Sequence, residues 1–344
     1  MSPQTRPWRL AVAGCGAAAF GLHLPLLTSR PAFEVTALAD RDPARARAAA
    51  AHFAVPRVAG TTKDLLDGAD MLVILTGVHE DLIEAALDAN VHVFTEKPVG
   101  LDVTGTRKLA ARAQEAGLLL EVGAMRAHDP ALHAALAAVP DPSGGWLIKA
   151  DGVDETARRR LLPPGFDPYT FTDDPPQAAP EQLGGPDQVA ALQILLWQGY
   201  HLLTALVLAV PGVTPAACTL DAESQSLHAV LHGPAAETFT LVISATPPGR
   251  FLEQIHFSGP SDAATVDFAR PYEAPAATSV TTATSKRDGF ADPFAAMWQA
   301  VSDRLAGQYP ADLPTSAALA LRVEDLALAL AATCRPGPHH PRKD

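Results

Sequence analysis

The stretch Val12-Ala13-Gly14-Cys15-Gly16-Ala17-Ala18-Ala19-Phe20, VAGCGAAAF, has two incompatible readings. VAGC looks like the cleavage box of an exported lipoprotein, with Cys15 carrying the lipid. GCGAAA looks like the first turn of a dinucleotide-binding unit. There Gly14 permits the tight turn, Gly16 lets the backbone approach a pyrophosphate, and Ala19 lets the helix pack near the strand. A secretory signal needs an apolar stretch of about 7–15 residues after its basic start. Only Leu10 to Ala13 separate Arg9 from Gly14, which is too short.

The surrounding pattern supplies what the second reading needs. Residues 8–13 (WRLAVA) predict a strand, and residues 17–28 a helix whose N-terminal N–H groups, at Ala17 and Ala18, face phosphates. Further strands are predicted at 34–39, 71–75, 91–94 and 118–122, with helices at 42–52, 62–66, 79–89 and 103–116. Strands alternating with helices imply a doubly wound parallel sheet. Asp40 ends the second strand, where a carboxylate accepts hydrogen bonds from the adenosine ribose and repels a 2′-phosphate, favouring NAD over NADP. Arg41 follows at once and can stack on adenine or clamp that phosphate, so NADP stays open.

The bulk numbers narrow the classes. A chain of 344 residues, 48% hydrophobic, has room for two domains with cores of their own. A net charge of −12 with scattered Lys and Arg disfavours nucleic acid and anionic lipid as partners. Cys15, Cys218 and Cys334 are too few and too scattered for a disulfide frame or a zinc site, which suits a reducing cytoplasm. No His/Asp cluster with metal-ligand spacing is present, and His339-His340 reads as a tail. Residues 190–210 are uncharged and about as long as a membrane span, but Gln193, Gln198, Tyr200 and His201 in their middle favour a buried helix.

Behind the strand VHVF stands Thr95-Glu96-Lys97-Pro98. With the glycine turn upstream, this Glu-Lys-Pro resembles the Gfo/Idh/MocA family, the glucose–fructose oxidoreductase and inositol dehydrogenase group. LHLPLL (22–27), ALADRDPARA (37–46), AALDANVHVFTEKPVGL (85–101) and VGAMRAHDPAL (122–132) resemble its first helix, ribose turn, approach to the tripeptide and exit from the nucleotide domain. The resemblance implies that Thr76, His79, Glu96, Lys97 and Pro98 surround the nicotinamide, with Arg126 among the groups facing the substrate. The loop holding His79 is shorter than the family's and lacks its Pro-Asn. Independently of the name, oxidation of an alcohol needs a base beside the nicotinamide, and Lys97 lies at the sheet edge where ligands of open α/β sheets bind. Pro98 holds that turn rigid, as a cis or trans peptide.

The second half predicts a different architecture: strands at 146–153, 217–223, 227–232, 237–244, 252–258 and 265–268, forming an α+β domain with a large, mostly antiparallel open sheet. We expect a Rossmann domain over 1–126 and a substrate-binding and oligomerisation domain over 127–344, with a last helix, about 314–334, packing back on the first. The open sheet suggests a homodimer or homotetramer. Residues 156–188 hold seven prolines and read as a lid, an arm or disorder.

The family's second signature is Asp-x-Gly-x-His. This chain reads Trp197-Gln198-Gly199-Tyr200-His201, so glycine and histidine match while Trp197 stands in place of the carboxylate; Thr204 likewise replaces a second Asp. His201 remains an acid/base candidate or a satisfied core histidine. Trp197 can stack on a sugar ring, and Asp187, Gln193 and Tyr200 are alternative polar partners. The reading is an NAD(P)-dependent oxidoreductase of a sugar, amino sugar, cyclitol or related alcohol, with Lys97 and His201 as acid/base groups and no metal. The alternative is a cofactor-binding sensor of the same fold without turnover.

Overall fold

The computed structural model describes residues 6–77, 80–152, 155–166, 180–245, 250–271, 278–308 and 316–337. Strand β1 (Trp8–Ala13) lies between β2 (Phe33–Ala39) and β3 (Met71–Ile74). With β4 (His92–Thr95) and β5 (Leu120–Val122) they form a five-stranded parallel sheet in the order β2-β1-β3-β4-β5. All four residues of β3 are buried, as a strand covered on both faces must be.

Helices α1 (Leu24–Ser29), α2 (Pro43–Phe53), α3 (Thr62–Leu66), α4 (Glu80–Asp88) and α5 (Val103–Glu115) alternate with these strands. Their starts are set locally. Asp42 accepts the Ala44 N–H ahead of α2, Thr61 the Asp64 N–H ahead of α3, and Asp102 the Thr104 and Gly105 N–H groups ahead of α5. Leu10, Val12, Val73 and Phe94 enter one core with Leu24, Leu27 and Ala49. Ala11, Ala13, Leu72 and Val93 enter another with Leu65, Ile83 and Leu109. Residues 17–28 are not one regular helix, because a π-helical turn, Ala19–His23, precedes α1.

The remaining elements are α6 (Pro130–Ala138), β6 (Gly144–Asp151), α7 (Glu155–Leu161), α8 (Pro186–Trp197), α9 (Tyr200–Ala209), β7 (Thr214–Asp221), β8 (Ser226–His232), β9 (Thr238–Ala245), β10 (Phe251–Ser258), β11 (Ala263–Asp267), β12 (Ser279–Thr282), β13 (Lys286–Asp288), α10 (Pro293–Leu305), α11 (Ser316–Thr333) and β14 (Cys334–Pro336). The nine-stranded sheet runs β13-β12-β11-β10-β6-β9-β8-β7-β14. Its neighbours are antiparallel except β6–β9 and β7–β14, which makes it mixed.

Three features depart from the sequence reading. The apolar stretch 190–210 is two helices, α8 and α9, bent by 75° at a short break, and no single helix among the described residues is long and apolar enough to cross a membrane. Part of the proline-rich segment is ordered as α7, while residues 167–179 lie outside the described residues. Finally, α10, expected with the second domain, puts Phe294, Met297, Trp298 and Val301 into the core of the first. In helix α11, Ala317 and Ala320 pack with the nucleotide sheet, and Val323, Leu326, Ala327 and Leu330 with the larger core.

Candidate functional site

The glycine turn lies at the point where the strand order reverses, across the ends of β1 and β3, where open α/β sheets place their ligands. Gly14 has φ +96°, and a Cβ there would stand 2.7 Å from the Leu75 carbonyl oxygen, so both conformation and space demand glycine. Nothing lies within 4 Å of a Cβ built on Gly16, which leaves an open approach to the backbone. Gly16, Ala17 and Ala18 are partly exposed, and the first turn closes with Phe20 N–H donating to the Gly16 carbonyl at 3.1 Å. Asp40 Oδ2 accepts the Cys15 N–H at 2.7 Å and Oδ1 the Asp42 N–H at 2.9 Å, fixing the carboxylate at the mouth of the turn. Each oxygen keeps a second lone pair for a ribose hydroxyl. Arg41 is exposed beside it. These residues fit a dinucleotide. Cys15 is fully buried in the turn, and burial, then Asp40, pushes its thiol up to about 12.

Two strands over, β4 delivers the Glu-Lys-Pro turn. Thr76 is partly exposed just past β3; His79 lies outside the described residues. Glu96 points under the turn. Its Oε1 accepts from His23 Nε2 at 3.0 Å and its Oε2 from the Lys97 N–H at 3.2 Å. Trp298 Nε1–H donates to His23 Nδ1 at 3.2 Å, so in the neutral imidazole the proton sits on Nε2, aimed at Glu96. Burial raises the Glu96 carboxyl, but the His23 hydrogen bond and the charges of His23 and Lys97 outweigh it and hold the group below its ordinary value. Gly123 leaves room for this carboxylate: a Cβ on it would lie 2.7 Å from Glu96 Oε1, so the Glu96 side chain would have to shift.

The Lys97–Pro98 peptide is cis, and Lys97 Nζ donates to the Trp197 carbonyl at 2.9 Å. That carbonyl is at the C-terminal end of α8, where the helix dipole favours a cation. The rings of Trp197 and Tyr200 each lie 6.0 Å from Nζ. Burial lowers the ammonium to about 8, with Lys149 and Arg158 adding to that direction against Glu96 and Glu253. Amine and ammonium are therefore both populated near neutrality, which acid/base work requires.

The break between α8 and α9 separates Trp197 from His201, so the two do not share one helix face. A Cβ at Gly199 would meet Ile243 Cδ1 at 2.6 Å and the Leu195 carbonyl oxygen at 3.0 Å. Burial, followed by the charge of Lys97, drives the His201 imidazole well below its ordinary value, so it is neutral at pH 7, and its buried Nδ1 has no hydrogen-bond partner. Gln198 Oε1 and Tyr200 Oη are buried and orphaned in the same way. Trp197 and Gln198 also edge a groove of about 220 Å³ with Gln193 and Gln225. Thr204 only donates to the Tyr200 carbonyl at 2.8 Å, and Asp187 sits at the far end of α8.

Arg126 follows β5 and is 2% exposed. Its Nε donates to Glu253 Oε1 at 3.0 Å and its Nη1 to Asp129 Oδ2 at 2.7 Å, and its guanidinium lies 3.9 Å from the Phe268 ring centre. Nη2 is buried without a partner. Glu253 Oε2 accepts from Lys149 Nζ at 2.9 Å. Among the described residues no group of three His, Cys, Asp or Glu side chains stands ready for a metal.

Comparison with known proteins matches residues 8–124 to the family model described as an oxidoreductase family with an NAD-binding Rossmann fold, GFO_IDH_MocA. This match covers the nucleotide-binding sheet, about a third of the chain. Among curated relatives, a dTDP-3,4-didehydro-2,6-dideoxy-α-D-glucose 3-reductase of Saccharopolyspora spinosa is 35% identical over 119 residues, 33% of this chain and 36% of that protein. A myo-inositol dehydrogenase of Streptomyces leeuwenhoekii is 34% identical over 126 residues, 35% and 38% of the two chains. These matches span little more than a third of the relatives' length. Over the whole chain the fold resembles a 3-ketoreductase from Actinomadura kijaniata in complex with NADP and TDP-benzene, with TM-score 0.73, 21% identity, and 96% of this chain and 99% of that one covered.

The structure adds residues that the sequence reading passed over. Lys149 and Glu253 occupy inward positions of β6 and β10, alongside Leu147 on one and Ile255 and Phe257 on the other. A charged residue on the apolar face of a strand was the available signal. His23 and Trp298 had none, because their partners are distant in sequence.

Proposed function

We propose that the protein is an NAD(P)-dependent oxidoreductase acting on CH–OH carbons of a sugar, amino sugar, cyclitol or related alcohol or ketone. The observation that carries this reading is Lys97: half-buried at the edge of the nucleotide sheet, lowered to about 8, and facing a neutral His201 whose Nδ1 has no hydrogen-bond partner. Gly14, Gly16, Ala17 and Ala18 would hold the pyrophosphate, Asp40 and Arg41 the adenosine, and Thr76, His79, Glu96, Lys97 and Pro98 the nicotinamide end. When bound, the cofactor supplies the hydride acceptor or donor. Because Asp40 repels a 2′-phosphate, NAD is the preferred form.

The chain's own part is to hold the hydroxyl and move its proton. Lys97 as the free amine takes the proton when an alcohol is oxidised and, as the ammonium, returns it when a ketone is reduced. His201 Nδ1 and Arg126 Nη2 bind substrate oxygens. Trp197 and the amides of Gln193, Gln198 and Gln225 receive the remainder of the substrate. The curated relatives described above are named as a reductase and a dehydrogenase, which supports turnover over a sensing role.

Ile148, Val230 and Val242 are partly buried and Leu252 is 37% exposed on the outer face of the nine-stranded sheet, which supports pairing with a second copy. Three buried free thiols suit the cytoplasm. The decisive experiment is Lys97→Ala with a panel of sugars and cyclitols. Turnover should fall by about 10²–10⁴-fold while NADH binding is retained; unchanged turnover would remove Lys97 from the role.

A further inference from the structure

The carboxylate that the helix signature lacks at Trp197 has a counterpart on the sheet. Glu253 is 1% exposed, projects from the inner face of β10, and is gripped by Arg126 at 3.0 Å and Lys149 at 2.9 Å. Lys149 is its cross-strand neighbour on β6, and Arg126 comes from the short helical turn Met125–His128. Helix α9, which carries His201 in its first turn, packs against both β6 and that turn. The charged groups facing Lys97 are Glu96 beside it, Lys149 on β6, Arg158 on α7 and Glu253 on β10. Those facing His201 are Lys97, Lys149, Arg126 and Glu253. Glu253 is thus the carboxylate common to both acid/base groups. Burial opposes its charge, yet Lys149 and Arg126 hold it ionised well below the ordinary range.

We propose that Glu253 is the positioning residue of the site: it anchors Arg126 and Lys149 beneath Lys97 and His201, and supplies from the sheet the negative charge that Trp197 does not supply from the helix. Without it, three cations would crowd one imidazole in a low-dielectric pocket and Lys97 would lose its proton at lower pH. The proposal rests on the redox reading above for its kinetic consequence, but not for its electrostatic one.

The test compares Glu253→Gln, Glu253→Asp and Lys149→Met in the full-length protein. Two readouts are used: the rising limb of kcat/KM against pH for alcohol oxidation, and the Lys97 Cε resonance followed by NMR in the substrate-free protein, assigned with Lys97→Arg. Removing the negative charge in Glu253→Gln should shift the Lys97 transition to lower pH by roughly half a unit or more. Removing the neighbouring cation in Lys149→Met should shift it to higher pH by a similar amount, and Glu253→Asp should hold it near wild type even where stability falls. If Glu253→Gln does not fold, the other two variants carry the test. A transition that stays put in Lys149→Met and Glu253→Gln, or moves in the same direction in both, would overturn the assignment. If no alcohol or ketone is turned over while the NMR transitions move in opposite directions, the redox reading fails and the Glu253 assignment stands.

Discussion

At Asp40 one carboxylate has two tasks. Its oxygens tie Cys15 N–H and Asp42 N–H together across the glycine turn, and their remaining lone pairs face the place where an adenosine ribose would lie. Asp40→Asn keeps the shape, removes the charge and weakens the repulsion of a 2′-phosphate. We predict that the ratio of NADPH to NADH affinity rises by about tenfold, equivalent to about 1.4 kcal/mol, read by fluorescence titration of each nucleotide. An unchanged ratio would place the ribose elsewhere. Lys97 shows the same economy of residues. Its ammonium is held by a helix-end carbonyl, two aromatic rings and a balance of distant charges, with Glu96 spent on shaping the turn through His23.

At the scale of elements, the break between α8 and α9 decides the site. Tyr200 to Ala209 is apolar almost throughout and Pro186 to Trp197 carries a similar character, so composition favours one continuous helix. Packing favours two, because a straight rod would not both present the Trp197 carbonyl to Lys97 and lay α9 against β6. Gly199 makes the 75° bend feasible, with Ile243 pressed against the space where a side chain would begin. Gly199→Ala should therefore destabilise the protein by about 1–3 kcal/mol in urea unfolding and lower kcat more than it alters NADH affinity. An alanine variant with wild-type stability and turnover would show that the bend tolerates a side chain.

The whole molecule is held together by elements that return to the first domain after the second is built. Helix α10 inserts Trp298 among Phe94, Phe33 and His23, with ring centres 4.4, 5.7 and 5.8 Å away, and Arg304 pairs with the buried Glu121 of β5. Helix α11 crosses both cores and buries Glu324, whose Oε1 accepts the Val99 N–H at 3.2 Å just beyond the Lys97 turn. Burial lifts this carboxyl to about 7 from an ordinary 4.5. The folded state then binds the proton more tightly than the unfolded chain. The associated stability is full below about pH 4.5 and is lost as pH rises through 7, at most about 3 kcal/mol. Glu324→Gln should flatten the fall in Tm between pH 6 and 8.5 in calorimetry; an unaltered slope would mean that Glu324 is ionised in the fold at neutral pH.

What the sequence alone determined is whatever depends on near neighbours. The strand–Gly14-x-Gly16–helix turn, the apolar run of β3 and the Lys97 turn behind β4 are all set by backbone sterics and hydrophobic period within a few residues, and each was legible there. The structure took the same side on VAGCGAAAF by burying Cys15. Only the tertiary structure decided what depends on packing between distant parts: Arg126 against Glu253, 127 residues apart, Lys149 against Glu253, 104 apart, and Trp298 against His23, 275 apart. A local pattern cannot encode which charged residue on an apolar strand face will meet which partner, because that choice is made when the sheet register and the helix bend bring them together. For the same reason Trp197 could be read as the missing helix carboxylate and Glu253 as a charge on an apolar strand face, while the partners of Glu253 became visible only once β10 lay beside β6.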